Sequence, residues 1–184
     1  MGGNMYLISL YFDNETQEKL RTLMERVARR TENRFMQDNH VPPHITVAAV
    51  ETKCEDELLI RVEKIANNLK CDKIQFVSVG TFSTRVIFVQ PFLNEYLQQL
   101  SITLTQKLEQ IDETILSSYY KPFNWLPHCT IAKQLSKDEM QKAFSELLQH
   151  FTPVNGYVTQ IGVSKTNPHR DLRVWELYKD NNRV

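Results

Sequence analysis

The sequence predicts an α+β fold of two similar lobes that are related by a pseudo-two-fold axis, with a central cleft between them. Two observations carry this prediction. A motif of proline, histidine, one variable residue, threonine and a β-branched residue occurs twice, at residues 43–47 and 127–131. The same order of predicted elements, namely helix, motif strand, helix, strand and strand, surrounds each copy. Such a unit is not the repeat of a solenoid, so we expect two packed lobes whose motif strands face each other across the axis.

The spacing of apolar residues defines the elements of the first half. An apolar run predicts the first strand, and Asp13-Asn14 caps the helix that follows it. The first motif opens a strand of small and β-branched residues, which favour strands. An apolar stripe marks the second helix, and a short Ser83-Thr84 turn joins the last two strands as a hairpin. The predicted elements are strand Met5–Phe12, helix Glu15–Glu32, strand His44–Val50, helix Glu55–Leu69, strand Lys73–Phe82 and strand Arg85–Gln90.

The second half repeats this order. Its first helix has inward-facing apolar residues at helical spacing, and its motif strand follows a loop that contains Trp125. Ser136 and Glu139 form a capping box at the start of the next helix. The predicted elements are helix Leu93–Leu116, strand His128–Gln134, a helix from Ser136 to His150, strand Val154–Ser164 and strand Leu172–Tyr178. No linker-like stretch separates the halves, so we expect one domain over residues 1–184, with pseudo-repeats at about 13–91 and 93–180.

Composition narrows the classes of partner and compartment. The 184-residue chain is 41% hydrophobic and 24% charged, and its formal net charge is zero. A neutral chain lacks the basic field that holds long nucleic acids, so we expect no long nucleic acid as a partner. Three cysteines without metal-ligand spacing favour the reducing cytoplasm. The apolar N-terminal run is too short for a membrane span, so we expect no membrane partner. We also expect the protein to be a monomer.

The motif residues point to acid–base chemistry on a phosphate ester. Side chains alternate along a strand, so His44 and Thr46 share one face, as do His128 and Thr130. Opening a cyclic phosphodiester requires a base that takes a proton from water and an acid that protonates the leaving oxygen. Two histidines can supply both near neutral pH, and threonine hydroxyls can donate to the phosphate oxygens. This chemistry needs no metal, and we expect no cofactor.

The two motifs, Pro43-His44-Ile45-Thr46-Val47 and Pro127-His128-Cys129-Thr130-Ile131, resemble those of the 2H phosphoesterase superfamily, as does Trp125 three residues before the second histidine. That superfamily includes the 2'-5' RNA ligase-like enzymes, which are now viewed as RNA 2',3'-cyclic phosphodiesterases. The resemblance covers essentially the whole chain. It implies antiparallel-rich sheets flanked by helices. It also implies that His44 is the proton donor, that His128 is the base, and that Thr46 and Thr130 contact the phosphate. The implied substrate is a nucleotide or RNA terminus that carries a 2',3'-cyclic phosphate or a 2'-5' linkage.

Two other classes of function stay open from the residues. A duplicated fold could bind a nucleotide or RNA end without turning it over, although binding alone does not need two imidazoles. A metal site could form from His40, His44 and His128, although no carboxylate or cysteine stands with them at ligand spacing.

Several other residues have structural interpretations. Cys129 is expected to act as a small core hydrophobe, His150 as a helix C-terminal residue, and His40 and His169 as surface residues. Strand alternation turns Lys133 away from the motif face, whereas Arg85 could meet phosphate. Four aromatic residues are candidates to stack a base, but residues of this kind in strands are more often core: Tyr6, Tyr11, Phe82 and Trp125.

Overall fold

The computed structural model describes residues 4–166 and 169–179. The helices in chain order are α1 Asn14–Thr31, α2 Phe35–Asp38, α3 Glu55–Ala66, α4 Glu95–Leu108 and α5 Lys137–His150, with a short 3-10 helix at Ser118–Tyr120. The strands are β1 Asn4–Phe12, β2 Ile45–Thr52, β3 Asp72–Phe82, β4 Val86–Pro91, β5 Ile115–Leu116, β6 Cys129–Lys133, β7 Val154–Lys165 and β8 Arg170–Glu176. None of the helices in these two ranges is long and apolar enough to cross a membrane.

The predicted helix over Leu93–Leu116 is too long. Helix α4 ends at Leu108, and Glu113 then adopts the left-handed backbone conformation, with φ of 52°. Ile111 is nevertheless buried, because its N–H bonds to the carbonyl of Leu108 in a turn that folds back onto the core. The helical spacing of apolar residues therefore continues past the end of the helix.

The strands form one antiparallel sheet rather than a separate sheet in each lobe. Its order is β5-β2-β1-β7-β3-β4-β6, and β8 pairs with β7 in addition. Strand β7 pairs with β1 along one edge, and its other edge pairs with β3 in its first half and with β8 in its second half. The prediction of an α+β fold with antiparallel strands flanked by helices is confirmed.

The sheet is strongly curved, and this curvature creates the cleft. The motif strands β2 and β6 are five steps apart in the strand order. In a flat sheet, five steps of about 4.8 Å would separate them by roughly 24 Å. Instead they contact each other, and both motif histidines line one cavity. The motif strands therefore meet across a cleft, although they are not hydrogen-bonded neighbours in the sheet.

Helix packing follows a pseudo-two-fold relation between the halves. Helix α1 packs on β6 and α5, and in the same way α4 packs on β2 and α3. Strands β1 and β4 each pair with the motif strand of their own half. The main elements have the order β-α-β-α-β in residues 4–82 and again in residues 86–165, and the pseudo-two-fold relation is between these two units. The single domain with pseudo-repeats at about 13–91 and 93–180 stays a prediction.

Candidate active site

Both motif histidines lie immediately before their strands and are held in the same way. Nδ1 of His44 is 2.7 Å from the carbonyl oxygen of Pro42, and Nδ1 of His128 is 2.9 Å from that of Leu126. Each of these carbonyls belongs to a residue that precedes a proline, a position biased toward extended backbone. A carbonyl can only accept, so Nδ1 carries the proton in both rings. Nε2 is therefore the nitrogen of each ring that can take or give a proton.

A β-bulge interrupts each motif strand three residues after its histidine. In β2, Thr46 pairs with Ser9 and Ala48 with Ile8, so the extra residue is Val47. In β6, Thr130 pairs with Phe88 and Ala132 with Ile87, so the extra residue is Ile131. A bulge resets the alternation of side chains along its strand. The two bulges occupy equivalent motif positions, which extends the internal symmetry to the backbone.

The bulge in β6 overturns the prediction that Lys133 faces away from the motif residues. Because Ile131 and Ala132 are both buried in the core, Lys133 returns to the face of Thr130 and lines the cleft. Its Nζ lies 4.7 Å from the ring centre of Phe35, and its partial burial lowers its pKa. Among the described residues it has no carboxylate partner.

The four predicted site residues line one cavity of about 160 Å³ between the motif strands. The described lining residues include histidines and a lysine but no carboxylate, a composition that suits an anion. They are Leu7, Phe35, Met36, Asn39, Val41, His44, Thr46, Tyr120, His128, Thr130, Lys133, Thr166 and His169. The threonine of the first motif is further held by a neighbour, because Thr46 Oγ1 lies 3.4 Å from Ser9 Oγ. Tyr120 lines the same cavity.

Burial controls the charge of both motif histidines. Desolvation lowers the pKa of His44 to about 4, with smaller lowering by the charges of His169 and His128 and opposition from the Pro42 carbonyl and Asp171. Desolvation also lowers the pKa of His128, and the Leu126 carbonyl opposes this. Since desolvation disfavours the charged form of an imidazole, both rings are neutral at pH 7 when the cavity holds no anion.

His169 is not a surface residue, so that prediction is wrong. Its side chain is only 9% exposed, and its Nε2 lies 3.2 Å from Oδ1 of Asp171. Its ring centre is 6.0 Å from that of His44, and both rings line the cavity. Oδ1 of Asp171 also accepts a hydrogen bond of 2.6 Å from the hydroxyl of Tyr11. No local sequence pattern marks this cluster, because it depends on how β1, β7 and β8 pair.

The remaining candidates separate into residues near the cavity and residues away from it. Arg85 is exposed and does not line it. Phe82 is 38% exposed, and its ring edge meets His128 at 4.8 Å between ring centres. The other three aromatic candidates, Tyr6, Tyr11 and Trp125, are buried.

His40 lines a separate surface groove, and His150 Nε2 lies 3.3 Å from Oε1 of Glu146. In the part of the chain that is described, no three histidine, cysteine or acidic side chains are grouped to hold a metal ion. Cys129 is a core residue, as predicted, and burial raises the pKa of its thiol to about 12.

Comparisons with known proteins agree with this architecture. Among curated protein sequences, none matches the chain significantly. E. coli LigT in complex with 3'-AMP is similar in structure, with 15% identity, a TM-score of 0.55, and coverage of 96% of this chain and 99% of LigT. TT0787 of Thermus thermophilus is similar with 13% identity, a TM-score of 0.63, and coverage of 96% of this chain and 100% of TT0787. At these identities the likeness shows the fold.

The family follows from the sequence profile. The profile described as the 2'-5' RNA ligase superfamily matches residues 14–170, which is most of the chain. The resemblance to the 2H phosphoesterases inferred from the two motifs is thereby confirmed. With both motif histidines in one cleft of the fold shared with LigT and TT0787, the chain belongs to the 2'-5' RNA ligase superfamily, within the 2H phosphoesterases.

Proposed function

We propose that this phosphoesterase opens 2',3'-cyclic phosphates or cleaves 2'-5' linkages, with His44 and His128 as its acid–base pair and with Thr46 and Thr130 as phosphate contacts. One observation carries the proposal. Two imidazoles that are held identically through Nδ1 line the same cavity as two threonine side chains. No carboxylate is among the described residues that line it, so an anionic ester meets no repulsion there.

The pair can perform both proton transfers of the reaction. When a cyclic phosphate opens, a water oxygen bonds to phosphorus and the bond from phosphorus to one ribose oxygen breaks. One Nε2 accepts the proton that the water loses, and the other Nε2 donates a proton to the departing oxygen. Cleavage of a 2'-5' linkage needs the same two transfers. The threonine hydroxyls can donate to the non-bridging oxygens, where negative charge increases in the transition state, and Lys133 adds a positive charge nearby.

The resemblance assigns the donor role to His44 and the base role to His128. A neutral His44 cannot donate, so this assignment requires His44 to gain a proton as substrate binds. An anion within a few ångströms raises the pKa of an imidazole because it stabilises the charged form. The bound phosphate therefore raises the pKa of His44 and favours the protonated ring that can donate to the leaving oxygen. This scheme needs no metal ion.

The size of the cavity limits how much of the substrate it encloses. A volume of about 160 Å³ is below the roughly 300 Å³ of the smallest pockets that enclose whole ligands of drug size. The cavity is therefore suited to the reacting phosphate, while the nucleoside lies outside it, near the partly exposed ring of Phe82. A nucleotide or an RNA terminus fits this arrangement, and we expect a monomeric protein to act on it in the cytoplasm.

A substrate panel tests the proposal. Wild-type protein is incubated with the four 2',3'-cyclic nucleotides, an oligoribonucleotide that ends in a cyclic phosphate, and 2'-5' oligoadenylate, and products are identified by phosphorus NMR. His44→Ala and His128→Ala should each lose turnover by roughly 10²–10⁴-fold. His40→Asn is the matched control, because His40 is outside the cavity and its φ of 52° suits asparagine.

The panel also distinguishes the alternative class of function. If wild-type protein binds 3'-AMP, the nucleotide with which LigT was crystallised, but turns over no ester of the panel, the protein is a binding module. If both histidine variants are folded and retain wild-type turnover, the acid–base pair has been assigned to the wrong residues.

A further inference from the structure

A third imidazole lies beside the proposed catalytic pair, and the motifs do not include it. His169 lies in the turn before β8, and its ring centre is 6.0 Å from that of His44 at an interplanar angle of 31°. Its side chain is nearly buried, yet it lines the same cavity as His44 and His128. Its Nε2 is turned toward Asp171, which leaves Nδ1 as the ring nitrogen without a carboxylate beside it.

The position of His169 is fixed by a chain of contacts that spans three strands. The carboxylate of Asp171 in β8 lies against Nε2 of His169 and accepts from the hydroxyl of Tyr11 in β1. Tyr11 reaches Asp171 by crossing over β7 at Gly162, where a Cβ atom would come within 2.8 Å of the tyrosine ring. A larger residue at position 162 would have to displace the Tyr11 ring, and Tyr11 in turn ties Asp171 to β1 across β7.

The two lobes differ at this point although their motifs match. On the side of the second motif an aromatic ring also crosses a glycine, because Phe88 in β4 covers Gly80 in β3. It meets Phe82, and both phenylalanine rings pack against His128. His128 thus has apolar rings as its neighbours, whereas His44 has a histidine–carboxylate pair. The side of the cavity near His44 therefore has a further imidazole that can donate to an anion, and the side near His128 has two phenylalanine rings instead.

The charged and titratable groups near His169 belong to several different strands and to the residues just before the motif strands. Asp171 and Tyr11 hold it from β8 and β1, and His44 and His128 face it across the cavity. Lys133 lines the same cavity from β6. Nearby Lys165 is paired with Glu55 at 2.7 Å. Asp171 is thus the negative group in direct contact with His169, and its pKa is held low despite partial burial by the nearby His169 ring and the hydrogen bond from Tyr11.

We propose that His169 is a third substrate-binding histidine, held by Asp171, that donates from Nδ1 to a non-bridging oxygen of the bound phosphate. The protonated ring then lies between two anions, since its Nε2 is 3.2 Å from Oδ1 of Asp171 and its Nδ1–H donates to the phosphate. Such charge-assisted bonds are about twice as strong as neutral ones. This inference rests on the proposed function, because it assumes that the cavity receives the phosphate of the substrate.

Calorimetric titration with 3'-AMP tests this role separately from turnover. The dissociation constant is measured at pH 6 and pH 8 for wild-type protein, His169→Asn and His169→Gln, with His40→Asn as the matched histidine control. Removing a charge-assisted donor should weaken binding at pH 6 by about ten-fold or more, and the loss should be smaller at pH 8, because the proposed contact needs a proton on both ring nitrogens. Asp171→Asn should weaken binding in the same direction, because His169 loses its carboxylate.

The possible results separate this inference from the proposed function. If both His169 variants bind 3'-AMP as wild type does, or lose affinity equally at both pH values, His169 has a structural role only and the inference is overturned. The inference also fails if wild-type protein binds no 3'-AMP at either pH. The proposed function depends instead on the turnover of the His44 and His128 variants, so it can stand when the inference fails.

Discussion

The desolvation of the partly buried His44 ring should make the stability of the protein depend on pH in a way that one substitution removes. The pKa of this imidazole falls from its ordinary value of 6.5 to about 4 in the folded protein. Above pH 6.5 the ring is neutral in both the folded and the unfolded state, so it adds no pH dependence. Between pH 6.5 and 4 the unfolded chain binds a proton that the folded protein does not, so the free energy of unfolding decreases as the pH falls.

The size of this effect follows from the two pKa values. At 1.36 kcal/mol per pKa unit, the full loss is about 3 kcal/mol, and about 2.5 kcal/mol of it should be reached by pH 4.5. His44→Gln removes the titrating group. The difference in unfolding free energy between wild type and His44→Gln should therefore shift by that amount, against wild type, between pH 7.5 and pH 4.5.

Urea denaturation in phosphate-free buffers measures this difference. Carboxylates also titrate in this range, but they are present in both proteins, and their contributions largely cancel in the comparison. His40→Asn, which replaces a histidine outside the cavity, is the control. An equal stability difference between wild type and His44→Gln at pH 7.5 and pH 4.5, or the same shift in His40→Asn, would contradict a low pKa for His44 in the folded protein.

The remaining predictions concern the chemistry of the cavity and the strand crossing that supports it. His44→Ala and His128→Ala should each lower kcat by roughly 10²–10⁴-fold, and the double variant should lose less than the product of the two, because both rings serve one transition state; losses that multiply fully in steady-state assays would contradict a coupled pair. The pH–rate profile should be a bell, with the alkaline limb flattened in His44→Ala and the acid limb in His128→Ala; the reverse pattern would exchange the donor and base roles. Binding of 3'-AMP near pH 6 should take up protons, because the anion raises the pKa of His44; calorimetry in two buffers of different ionisation enthalpy measures this, and an apparent enthalpy equal in both would argue against it. Thr130→Ala should raise the activation free energy by about 2–4 kcal/mol if its hydroxyl donates to the phosphate, with unchanged thermal stability as the control; an unaltered kcat/KM would remove Thr130 from the site. Gly162→Ala should lower the melting temperature, because its methyl group would displace Tyr11. It should also reduce the fraction of protein that binds 3'-AMP at concentrations below saturation. A wild-type melting temperature would show that the crossing is not tightly packed.

The sequence was sufficient to predict the residues whose roles depend on local pattern. The duplicated motif predicted His44, Thr46, His128 and Thr130, and the structure brings all four to one cavity. Their catalytic roles stay proposals. Periodicity also predicted most helices and strands, because these elements each bury one face in the core.

The features that periodicity could not predict depend on backbone irregularity and on distant pairing. Strict alternation turns Lys133 away from the motif face, and a single bulge at Ile131 reverses that orientation. His169 joins the site only through the pairing of β8 with β7 and through Asp171. The apolar pattern does not show where α4 ends, because the turn that buries Ile111 continues the helical spacing of apolar residues.

The exchange of strands between the two halves has a consequence for how the protein folds. Strand β3 from the first half pairs with β4, and β7 from the second half returns to pair with β1, so that Leu10 lies opposite Ile161. Neither half can complete its part of the sheet alone, and the cavity requires ladders between residues that are far apart along the chain. Folds dominated by such distant contacts fold slowly. A nascent chain that has not yet synthesised β7 therefore leaves the hydrogen-bonding edge of β1 unpaired, and we expect the two histidines to meet only after β7 has been made.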